Sequence, residues 1–147
     1  MYDMDFPGLF VVLIVAAIFY LPLILYLLTL SKALQAVSEK NRAMSPGLVW
    51  LNLIPIFELG WHFYTVIMIR NSLGAELAER GVEDPGRGGY AMGMAASILA
   101  VCGILPYVGV LASIGALICW IIYWVKIAGY KNRLLAPDQG HLESPAL

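Results

Sequence analysis

The sequence predicts an all-α integral membrane protein with four membrane-embedded helices. Three observations lead there. Hydrophobic residues make up 61% of the 147 and charged residues only 13%, where soluble domains carry about 25% charge. The mean hydropathy is +0.79. The apolar residues fall into four runs divided by short polar connectors. Residues 1–135 then form a single membrane domain, followed by a disordered tail at 136–147. Little soluble mass is left to house a catalytic domain.

The first helix is expected over about 9–30. Leu, Ile and Val dominate it, small residues are scarce, and its length suits a hydrocarbon core of roughly 30 Å. This composition points its surface at lipid, and Pro22 is a candidate kink. The preceding MYDMDFPG is acidic and has no basic stretch, so the run reads as a retained helix, not a cleaved leader. In the connector, Leu30, Leu34, Val37 and Met44 share a helical face, with Lys32, Glu39 and Lys40 away from it. That pattern extends the helix along the membrane interface.

The second helix is expected over about 48–80. Ser45-Pro46 is a start signal. Glu76 precedes Arg80 by four residues and Gly81 is a natural cap. Pro55 breaks the segment about a third of the way along. After the turn-rich VEDPGRGG, the third and fourth helices, about 90–105 and 108–130, form a tight hairpin about Pro106-Tyr107. Gly93 and Ser97, Gly109 and Ser113, and Ala112 and Ala116 each lie four apart. Small residues at that spacing let helices approach closely in lipid, within one hairpin or between subunits. Cys102 and Cys119 sit at depths too different for an internal disulfide.

Two arrangements of the second segment satisfy the charge pattern. Four full spans with both termini inside leave Arg70, Arg80 and Arg87 outside. If the segment instead enters and leaves on one side, every Lys and Arg is cytoplasmic. Both arrangements put the C-terminus in the cytoplasm. Trp120, Tyr123 and Trp124 ahead of Lys126 and Lys131 fit a cytoplasmic aromatic belt.

Polar groups at bilayer depth are costly, so Asn52, Glu58 and His62 stand out. Glu58 and His62 share a helix face at i,i+4, and Thr65 extends it. They satisfy one another or a neighbouring helix, or line a path for ions or protons, or contribute to a metal site. A metal enzyme needs about three protein ligands at fixed geometry, and only two are in reach, so no metal or cofactor is expected. The net charge of −1 and the lack of a Lys/Arg cluster exclude a nucleic-acid partner. No phosphate-binding loop or nucleophile elbow occurs.

Ser45–Leu73 resembles a segment of uncharacterised bacterial integral-membrane proteins with a W-x-N-x-I-P-x-F motif before Trp-His-Phe. The matching residues are Trp50, Asn52, Ile54, Pro55 and Phe57, then Trp61, His62 and Phe63. YWVKIAGY, Tyr123–Tyr130, is similar too. At the position of Glu58 these proteins carry Asn at least as often. The resemblance implies a bacterial inner-membrane protein and brings no activity with it.

The expected role is that of a non-enzymatic membrane component. Its partners are lipid and a second copy or another membrane protein, met through Gly93, Ser97, Gly109, Ala112, Ser113 and Ala116. The alternative is a small oligomeric channel or transporter whose path is lined by Asn52, Glu58 and His62. A metal-dependent membrane enzyme is the third reading.

Overall fold

The computed structural model describes residues 6–54, 56–82, 89–105 and 107–136. Pro55, Pro106, most of the VEDPGRGG connector and the tail with His141 lie outside these residues. The described part is helical without strands: α1 (Phe6–Ala36), a 3-10 turn (Glu39–Asn41), a 3-10 helix (Pro46–Leu53), α2 (Phe57–Glu79), α3 (Tyr90–Cys102) and α4 (Gly109–Leu135).

Two of the helices are long and apolar enough to cross a membrane. They are α1 over Pro7–Ala36, with mean hydropathy 2.8, and α4, with 2.0. Only 11% and 17% of their most apolar windows is buried within the chain. α3 has 13 residues and is too short to span by itself. α1 runs unbroken through Pro22 and past the expected end at residue 30. Its first turns are open: Leu9 to Phe19 are 42–73% exposed at every large apolar position. From Tyr26 onward one face is fully covered, with Leu27, Leu30, Leu34 and Val37 in the core beside Val66, Ile69, Leu73, Tyr123 and Ile127.

The second apolar segment is two pieces. Ser45 flanks the 3-10 helix without a side-chain capping bond. Ile54 is extended, with φ −83° and ψ 111°, because a residue before proline is sterically kept out of the helical region. Ile56 then adopts φ 71°, and α2 begins. Backbone before and after this break lies side by side. Trp61 Nε1 donates to the Leu48 carbonyl at 2.9 Å, the Ala43 amide to Ser72 Oγ at 2.9 Å, and the Ser38 amide to Glu76 at 3.0 Å. The chain therefore runs out along the 3-10 helix and back along α2.

The returning end is held by one carboxylate. Glu76 accepts from Ser38 Oγ at 2.5 Å, Asn41 Nδ2 at 2.9 Å and Arg80 at 2.8 and 3.0 Å. Burial would raise this carboxyl. The hydrogen bonds from Ser38, Asn41 and Arg80 outweigh it and hold the group at about 2. Arg80 also donates to the Leu134 carbonyl of α4 at 3.1 Å. α2 ends in a Schellman motif, with Val82 N–H on Leu77 O, Gly81 N–H on Ala78 O, and Gly81 at φ 68°.

α3 and α4 form the expected hairpin, and the glycines show how close it is. A Cβ on Gly93 would sit 2.9 Å from both Tyr123 and Val66, and one on Gly109 would sit 2.5 Å from the Gly103 carbonyl oxygen. Gly103 and Gly115, not singled out by the i+4 spacing, face Ser113 and Leu99 across the same seam. Ala96 and Ala112 are buried in the chain. α4 runs alongside the second half of α1, where Trp124 Nε1 donates to Thr29 Oγ1 at 3.0 Å.

Candidate polar cavity

Asn52, Glu58 and His62 come from two elements on either side of the break, and all three line one cavity of about 360 Å³. α1 contributes Leu23 and Tyr26, and the hairpin contributes Ser97, Ser113 and Ala116 among others. A cavity of this size is in the range of small-molecule sites. The out-and-back path explains the convergence. It brings the end of the 3-10 helix against the first turns of α2, and α3 closes the opposite wall.

Asn52 is 1% exposed. Its Nδ2 donates to the Val49 carbonyl at 2.8 Å and to Thr65 Oγ1 at 3.1 Å. Thr65 spends its own proton on the Trp61 carbonyl at 2.9 Å, so it can only accept from Asn52. Both neighbours demand a donor, which fixes the amide orientation. Asn52 Oδ1 is left buried with no hydrogen-bond partner among the described residues. The hydroxyl of Tyr26, 1% exposed, is likewise unpartnered. Orphaned buried polar atoms are uncommon in folded proteins and call for a physical reason.

Glu58 and His62 do not hydrogen-bond or ion-pair with each other among the described residues. Each is only partly covered by the chain. The i,i+4 spacing does give them a common face, and that face opens to the cavity. Thr65, on the same side of α2, is instead absorbed into the support of Asn52. Tyr26 packs its ring against His62 at 6.1 Å, Trp120 at 5.0 Å and Trp124 at 6.1 Å.

No family model, curated protein or solved structure matches this chain. The site must be read from its own chemistry. Among the described residues no three His, Cys, Asp or Glu side chains converge as a set of metal donors. Ser97 donates to the Gly93 carbonyl at 2.9 Å and has no base beside it. Cys102 and Cys119 are free thiols, both partly buried.

The helix-packing residues divide into two groups. Gly93, Gly109 and Ala112 are used inside the hairpin or against α2. Ser97, Ser113 and Ala116 lie on the cavity wall. Tyr26 was not singled out by sequence: an aromatic inside an apolar run carries no mark that distinguishes a site from a core.

Proposed function

We propose that this chain is a multi-pass integral membrane protein, without a catalytic role, that passes protons or small cations by way of the Asn52–Glu58–His62 cavity. The supporting observation is the convergence of a carboxylate, an imidazole and an orphaned amide oxygen in one cavity. The outer surfaces of α1 and α4 around it are apolar. Ionisable groups at bilayer depth are retained where they serve a pathway.

In this reading α1 and α4 cross the bilayer, while α3 and residues 46–70 of the broken segment are embedded beside them, with the last turns of α2 outside the bilayer. The broken segment enters and leaves on the cytoplasmic side. Irregular backbone at depth is tolerated where protein covers it, and α1 and α2 provide that cover. The connector after α1, the end of α2 and the end of α4 meet at one end of the molecule. Lys40, Arg42, Arg80 and Arg133 gather there, which supports a cytoplasmic C-terminus. The resemblance of Ser45–Leu73 supports a bacterial inner membrane as its location.

Self-association through the small-residue faces has less support, because Gly93, Gly109 and Ala112 already meet their neighbours within one chain. The deciding experiment is reconstitution into liposomes carrying a pH-sensitive dye and a potassium diffusion potential. Wild-type protein is expected to pass protons or small cations, and Glu58→Gln to reduce the flux at least tenfold with the fold intact. Wild-type liposomes no leakier than empty ones, for protons and small cations alike, overturn the reading.

A further inference from the structure

The cavity wall is selective in charge, and this gives the class of ligand. The inference rests on the cavity having a binding role, as proposed above, and adds what it binds. Among the described residues Glu58 is the only acidic one on the wall, and no Lys or Arg lines it. Asn52 has committed both amide protons and offers only Oδ1. Ser97 has spent its proton on Gly93 and offers only oxygen lone pairs. Glu58, Asn52 and Ser97 thus present acceptors, and the carboxylate has no Lys or Arg beside it on the wall. His62 and Ser113 are the other polar side chains on the wall. The rest is aromatic or aliphatic: Tyr26 and Trp120, edge to face at 5.0 Å, with Leu23, Leu59 and Leu117.

An anion would meet the Glu58 carboxylate and no Lys or Arg. A purely apolar solute would leave Asn52 Oδ1 unpaired, at a cost of about 1–3 kcal/mol. A bare metal ion would find too few donors and an excess of apolar wall. We propose that the cavity binds a primary or secondary organic ammonium ion with an aromatic or branched apolar body. Its N–H groups donate to the Glu58 carboxylate and Asn52 Oδ1, and its apolar body lies against Tyr26 and Trp120, where burial of apolar surface adds to binding.

The test is calorimetric titration of the full chain in nanodiscs, with empty nanodiscs subtracted. Three probes of similar size are compared: phenethylammonium, neutral 2-phenylethanol and anionic 3-phenylpropionate. The ammonium is expected to bind at least tenfold more tightly than the alcohol, and the carboxylate not at all. Glu58→Gln should abolish the preference for the ammonium and leave the alcohol unchanged. Equal affinity for ammonium and alcohol in the wild type overturns the proposal, as does tighter binding of the anion. This wild-type comparison decides the matter even if Glu58→Gln fails to fold. Ammonium binding without any liposome flux overturns the transport reading and upholds this one; flux without ammonium preference does the reverse.

Discussion

Glu76 shows what a single residue contributes at the polar end. It accepts hydrogen bonds from three residues that lie 35 or more positions before it or one turn after it. Bonds to a charged group are each worth about 1.5–3 kcal/mol, and orphaning buried donors adds to the loss. Glu76→Gln is therefore expected to lower stability by about 2–3 kcal/mol, read as a lower thermal midpoint in detergent. The pH dependence has a definite sign. The folded carboxyl sits at about 2, below the ordinary value of 4.5, so its stabilisation is complete above about pH 4.5 and is lost as pH falls toward 2. The wild type should lose stability over that window, and Glu76→Gln should lose less. The Arg80 half of this cluster was legible from i,i+4 spacing. The Ser38 and Asn41 half was not, because it depends on where α1 ends and how the connector folds back. Asn52 was legible as an anomaly, a carboxamide in an apolar run, but not its orphaned oxygen. That follows from Val49 and Thr65 both requiring its protons.

The α3–α4 hairpin makes its own prediction at the level of elements. Gly93→Ala forces a Cβ to 2.9 Å from Tyr123 and Val66, and overpacking of that kind costs about 1–3 kcal/mol. Gly74→Ala, inside α2 with nothing within 4 Å of the new Cβ, should be neutral or stabilising by up to about 1 kcal/mol through helix propensity. Thermal unfolding of the two variants side by side separates contact from propensity; equal midpoints would remove the close approach at Gly93. The hairpin was readable because small residues recur at one spacing. Gly103 and Gly115 escaped that reading, since their partners Ser113 and Leu99 are set by how the turn closes. The second segment shows a similar division. Pro55 announced a break, and the extended Ile54 follows from the proline rule. The 3-10 form of Pro46–Leu53 has no comparable mark in the sequence.

For the whole molecule, the out-and-back path of the second segment makes the sidedness testable. In a background with Cys102 and Cys119 changed to Ala, single cysteines at Ser45, Asn71 and Arg133 should react with a membrane-impermeant maleimide from one face. A cysteine at Tyr107, which is 97% exposed at the other end of α4, should react only from the opposite face. Labelling of Ser45 and Asn71 from opposite faces would mean that the segment spans. Composition alone left both arrangements open. The hydrogen bonds linking residues 38–43 to 72–79 show the out-and-back path of the chain, which the sequence does not display.

The uncovered first half of α1 bears on the order in which the protein is made. Residues 7–21 are largely uncovered by the described residues, so on the proposed topology they can settle among lipid as soon as they leave the ribosome. Tyr26 and the turns after it are different. Their ring partners on α4 are translated some 95 residues later, as the Thr29–Trp124 bond records. The nascent protein is therefore moored early and finished late. During that interval the part of the Tyr26–Val37 face that α4 covers is open to whatever the insertion machinery, or a neighbouring nascent copy, presents to it.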